Sequence, residues 1–121
     1  MNLDLAGKRA LVGGSSQGIG LAAAVELARL GASVTLLARN GEALAKASLE
    51  LPRERGQTHG FLVADFAQPP AVEMAVAEWL SSGGGAEILV NNTGGPPPGP
   101  AHLASVSQFT SAFLNHLVVN Q

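Results

Sequence analysis

The sequence predicts an α/β fold, a three-layer sandwich in which helices cover both faces of a parallel sheet. Two observations carry this. Four short apolar runs, "RALVG" at 9–13, "SVTLLA" at 33–38, "GFLVA" at 60–64 and "EILVNN" at 87–92, are bounded by Gly, Asp or Asn and do not alternate cleanly. Such continuous Val/Leu/Ile runs mark strands buried on both faces. Helix-length segments separate them, and a βαβαβαβα order implies parallel strands joined by right-handed crossovers.

The first helix is expected from Gly20 to Leu30, where Val25 and Leu27 to Leu30 sit among alanines and Gly31 follows as a stop. Asn40 is a suitable N-cap for "GEALAKASLEL", which Pro52 closes. The third helix, "PPAVEMAVAEWLSS", opens on prolines that a first turn tolerates, and Val72, Val76, Trp79 and Leu80 recur at helical spacing. Trp79 is expected in the core. A fourth helix is read from Ser105 onward, capped by Ser105 or Ser107. No repeat or linker divides the chain, so 121 residues make one domain.

Composition removes several function classes. Seven Lys and Arg in a chain of net charge −2 supply no basic surface for nucleic acid. The absence of cysteine excludes a disulfide scaffold and thiolate metal sites. His59, His102 and His116 have no metal-ligand spacing. The N-terminus has no signal-peptide pattern, and no apolar run is long enough for a bilayer. A cytoplasmic protein acting on a small molecule is expected.

Chemistry concentrates in "GGSSQGIG", residues 13–20, with four glycines between a strand and a helix. A strand feeding a helix through such a turn aims free N–H groups and the helix dipole at one spot, a site for an anion. Gly14 would let the chain reverse with positive φ, Gly18 would let a pyrophosphate approach where a Cβ would intrude, and Gly20 would bring helix and sheet close. Ser15 and Ser16 add hydroxyl donors. A Walker loop is excluded because no Lys follows the last glycines. A G-x-G-x-x-A pattern fits Gly18, Gly20 and Ala23, but G-x-x-x-G-x-G on Gly14, Gly18 and Gly20 starts at the strand's end and fits better.

The second strand ends "LLARN". A dinucleotide fold reads the adenosine ribose there, with an acid where NAD is bound. Here Ala38 replaces that acid and Arg39 follows, a guanidinium placed for a 2′-phosphate. NADP(H) is therefore favoured over NAD(H), and the missing acid also disfavours S-adenosylmethionine. The loop "GGPPPGP", 94–100, follows the fourth strand and is either a wall of the site or a stiff connection.

These elements resemble the short-chain dehydrogenase/reductase family. "VGGSSQGIG" is similar to its Thr-Gly-x-x-x-Gly-Ile-Gly turn with Gly13 in the Thr position. "VADF" matches its adenine-contacting element, and "ILVNNTGG" its Asn-Asn-Ala-Gly element with Thr93 for Ala. The "NNTGGPPPGP" stretch is similar to a subgroup described as 3-oxoacyl-[acyl-carrier-protein] reductase-like. The resemblance implies a Rossmann-type sheet with strand order 3-2-1-4 and an NADP(H)-dependent oxidoreductase that reduces a carbonyl, such as a 3-oxoacyl thioester. It places Gly14, Ser15, Ser16, Gln17, Gly18, Ile19 and Gly20 around the pyrophosphate turn. Arg39 and Asn40 fall at the 2′-phosphate, Asp65 and Phe66 at the adenine, and Asn92, Thr93 and Gly94 at the nicotinamide-side ribose. Gln17 stands where many NADP-preferring members carry a basic residue.

The family's catalytic Tyr has no counterpart, since the chain contains no tyrosine, and Lys8 and Lys46 both lie in the cofactor-binding portion. The family's supporting Asn falls at His116, with Asn115 one residue away. No catalytic or metal-binding residue is therefore assigned within the chain. Residues 1–121 are expected to form a dinucleotide-binding domain, the N-terminal half of a longer, homo-oligomeric enzyme that binds a small carbonyl or alcohol substrate. The alternative is a naturally short, non-catalytic dinucleotide-binding or interaction module.

Overall fold

The computed structural model describes residues 4–14 and 18–91. Four strands, β1 (Arg9–Gly13), β2 (Ser33–Ala38), β3 (Gly60–Val63) and β4 (Ile88–Asn91), alternate with three helices, α1 (Gly18–Arg29), α2 (Gly41–Glu50) and α3 (Pro69–Ser81). The strands form one parallel sheet in the order β3-β2-β1-β4, as expected. The fourth helix expected from Ser105 lies outside the described residues.

Strand alternation divides the core in two. Ala10, Val12, Val34, Leu36 and Ala38 face one side, against Ala24 and Ala28 of α1 and Leu44 and Ala47 of α2. Leu11 and Leu37 face the other, against Val72, Val76 and Leu80 of α3, with Trp79 packed alongside. The result is three layers, α1/α2, sheet and α3.

Two details differ from the sequence reading. The buried seam of α1 is Gly20, Ala24 and Ala28, whereas Leu21, Val25 and Leu27 are only partly buried at its sides. Small side chains at i, i+4 and i+8 let the helix axis approach the sheet, so its larger residues flank the contact. In β3, Phe61 and Val63 are exposed, because this strand is the sheet edge in the described structure and its outward face is only partly covered.

The helix ends follow local chemistry. Asn40 caps α2, its side-chain oxygen accepting the Ala43 N–H at 3.1 Å. Prolines occupy the first turn of α3, where their missing N–H costs no helical bond. Gly31 ends α1 with φ +110°, and its Hα lies where a Cβ would meet the Ala6 backbone nitrogen at 2.9 Å.

Candidate cofactor-binding site

Parallel strands deliver all their carboxyl ends to one edge, and the register brings them level. Gly13 pairs with Leu37 and with Asn91, and Ala38 pairs with Val63. Backbone bonds continue the ladder past the strand ends. The Gly14 N–H donates to the Leu37 carbonyl at 2.7 Å, and the Ala64 N–H to that of Ala38 at 2.9 Å. The glycine turn, the Arg39-Asn40 pair and the Asp65-Phe66 pair therefore emerge side by side, although they are separated by 25 residues or so in sequence.

Gly14 and Gly18 bracket the turn with φ +71° and +64°, a backbone region that L side chains avoid. Around Gly18 a Cβ would meet none of the described residues within 4 Å. Packing among the described residues therefore gives no reason for the missing side chain. Ile19, in the first turn of α1, is 80% exposed. Gly20 is buried on the seam toward the sheet. Ser15, Ser16 and Gln17 lie outside the described residues, as do Asn92, Thr93, Gly94, the 94–100 loop, His102, Asn115 and His116.

Arg39 is exposed and makes no ion pair among the described residues. Three other arginines are engaged with carboxylates: Arg9 with Glu87, Arg29 with Glu26 and Arg55 with Asp4. Arg53 donates to the Ser48, Leu49 and Leu51 carbonyls at the end of α2. The Asn40 side-chain oxygen is committed to its helix cap, which leaves the amide N–H groups as its donors toward a ligand.

Asp65 shapes the turn into α3. Its Oδ1 accepts the Ala67 N–H at 2.9 Å and its carbonyl the Gln68 N–H at 2.9 Å. One carboxylate oxygen is thus spent on the fold, and Oδ2 is the acceptor that a ligand could meet. Phe66 is half-buried against the α3-side core. Sequence reasoning missed Val63, which is 51% exposed at the end of β3 beside Gly41, where an added Cβ would meet Val63 Cγ2 at 3.2 Å. Its apolar run gave no sign of this, because exposure here follows from edge position and not from composition.

The two carboxylates held below their ordinary pKa lie at the opposite, amino edge. Asp4 is lowered first by the Ala6 N–H and then by Arg55. For Glu87, burial pushes upward, but the Arg9 N–H and guanidinium outweigh it. Among the described residues no three His, Cys, Asp or Glu side chains gather as a metal site, and no helix is long and apolar enough to cross a membrane.

Known proteins are similar to this chain in sequence and fold. The chain is 36% identical over 104 residues to a glucose 1-dehydrogenase of Gluconobacter oxydans, covering 86% of this chain and 39% of that protein. The L-sorbose reductase of Gluconobacter frateurii, solved with NADPH and L-sorbose, superposes with a TM-score of 0.82 at 29% identity, over 98% of this chain and 51% of that one. An actinorhodin polyketide ketoreductase solved with NADPH gives 0.74 at 31% identity, over 90% and 47%. The chain thus spans about half the length of these solved structures or less, and under half that of the glucose dehydrogenase. Residues 8–117 match the short chain dehydrogenase (adh_short) family, and the chain belongs to it.

Proposed function

We propose that residues 1–121 form the cofactor-binding domain of an NADP(H)-dependent carbonyl reductase. The observation that carries this is the meeting of two positive-φ glycines, Gly14 and Gly18, with an arginine that has no ion-pair partner among the described residues, all at the carboxyl edge of a parallel sheet. The turn can take a pyrophosphate through N–H groups, with Gly14, Ser15, Ser16, Gln17, Gly18 and Ile19 around it and Gly20 holding α1 close. Arg39, helped by the Asn40 amide, would grip a 2′-phosphate through charge-assisted bonds. Asp65 Oδ2, Phe66 and the apolar surface of Val63 suit an adenine, and Asn92, Thr93 and Gly94 would line the second ribose.

NADPH in the sorbose reductase and the polyketide ketoreductase supports this cofactor choice. When bound, the cofactor supplies hydride; this chain's residues fix its position at the sheet edge. A 3-oxoacyl thioester is the substrate we favour, on the "NNTGGPPPGP" resemblance and the ketoreductase likeness. The chain has no tyrosine, so on this reading the proton donor lies outside these 121 residues. The working enzyme is expected to be a cytoplasmic homo-oligomer.

Chemical-shift mapping tests the assignment. Adding NADPH should move the amides of Gly14, Gly18, Arg39, Asn40 and Asp65 together, and leave those of Arg55 and Thr58 at the opposite edge in place. Shifts confined to the amino edge would overturn it.

A further inference from the structure

A second cluster of side chains occupies the amino edge of the sheet and plays no part in the proposed site. In β2 the Ser33 N–H points toward β1 and donates to the Lys8 carbonyl at 2.9 Å. The next N–H, of Val34, points the other way. β3 first pairs at Thr35↔Gly60, so no strand carbonyl faces Val34. The His59 ring takes that place, with Nδ1 accepting the Val34 N–H at 3.0 Å. Accepting there requires a lone pair on Nδ1, so the ring proton sits on Nε2 and donates to the Pro52 carbonyl at 2.7 Å. One neutral tautomer thus extends the β ladder by a residue and ties it to the end of α2.

The 52–59 connection is held down by further bonds around this ring. Gln57 Nε2 donates to the Ala28 and Ala32 carbonyls at 2.6 and 3.1 Å, and the Thr58 N–H donates to Ser33 Oγ at 3.2 Å. Arg55 pairs with Asp4 at 2.7 Å. The charged groups of the neighbouring elements are Arg53, Glu54 and Arg55 in the connection, Glu42, Lys46 and Glu50 on α2, Glu26 and Arg29 on α1, Asp4 and Lys8 before β1 and Arg9 at its start; β2 and β3 carry none. None of the described carboxylates pairs with the ring. A second ring proton would therefore gain no ion pair, and on Nδ1 it would set two N–H groups against each other at 3.0 Å.

We propose that His59 is a proton-operated latch. In its neutral form it fastens the 52–59 connection to the amino edge of the sheet, and protonation at Nδ1 releases that connection while the sheet itself stays formed. The release loosens the carboxyl ends of α1 and α2, the two helices whose other ends frame the glycine turn and Arg39. The latch is independent of the cofactor assignment.

The test is NMR on the whole chain. Ring ¹⁵N shifts should show the Nε2–H tautomer when His59 is neutral. As the ring titrates, exchange of the Val34 and Thr58 amides, corrected for intrinsic rates, should rise about tenfold, the scale of one lost hydrogen bond, while Leu36 stays protected. In His59→Asn the Asn oxygen can still accept from Val34 but cannot take a proton, so the response should vanish. An Nδ1–H tautomer, unchanged Val34 exchange through the titration, or the same rise in His59→Asn would overturn the proposal. Should that variant fail to fold, the wild-type contrast decides: a loss of protection shared equally by Leu36 is acid unfolding and contradicts the latch.

Discussion

Replacing Gly18 with alanine separates what the fold needs from what a ligand needs. Gly18 holds φ +64°, so an L side chain there costs about 1–2 kcal/mol of conformational strain. No overpacking against the described residues adds to this, because the new Cβ would find none of them within 4 Å. The expected stability loss is therefore about 1–2 kcal/mol, a fall of several degrees in Tm. The space the methyl would fill is the approach path assigned to the pyrophosphate. NADPH affinity should fall at least about tenfold, the equivalent of about 1.4 kcal/mol. Thermal unfolding without cofactor measures the first quantity, and calorimetric titration below Tm measures the second. Unchanged affinity alongside the expected loss of stability would refute the assignment of that space to the cofactor.

Gly31→Ala should behave in the opposite way. Its φ is +110° and the new Cβ would lie 2.9 Å from Ala6 N and 3.2 Å from Ala6 Cα, so strain of about 1–2 kcal/mol and overpacking of about 1–3 kcal/mol combine. Denaturant unfolding should show that loss, with NADPH affinity unchanged in the folded fraction. Glu87→Gln tests the amino-edge ion pair. The folded-state pKa of Glu87 is lowered, so its contribution is present above the unfolded carboxylate pKa of about 4.3 and is lost as pH falls through the folded value. Both partners are about half exposed, so the variant should cost only about 0.2–1 kcal/mol at pH 7. That difference should shrink below about pH 4 in urea titrations across pH.

Much of this architecture was legible because the apolar runs and their boundaries carry it. "RALVG" and "SVTLLA" coincide with β1 and β2, and Asn40 caps α2 as its side chain and position suggest. The site's backbone was legible too, since Gly14 does take a positive φ and Gly20 does lie on the seam against the sheet. Other features depend on contacts that no local pattern encodes. Phe61 and Val63 read as buried until the strand order makes β3 an edge. Asp65 reads as a ligand contact, yet half of its carboxylate organises the turn into α3. His59 reads as a scattered histidine, because its partners lie 7 and 25 residues away and meet only in the folded chain.

The central claim is that Arg39 and the glycine turn together form an NADP(H) site, and the ratio of dissociation constants for NADPH and NADH tests it most directly. Each charge-assisted bond to the 2′-phosphate contributes about 1.5–3 kcal/mol, so NADPH should bind at least about tenfold tighter. Arg39→Ala should remove that advantage and leave NADH binding unchanged. Equal affinity for the two cofactors in the wild-type chain, or a preference for NADPH that survives Arg39→Ala, would contradict the account.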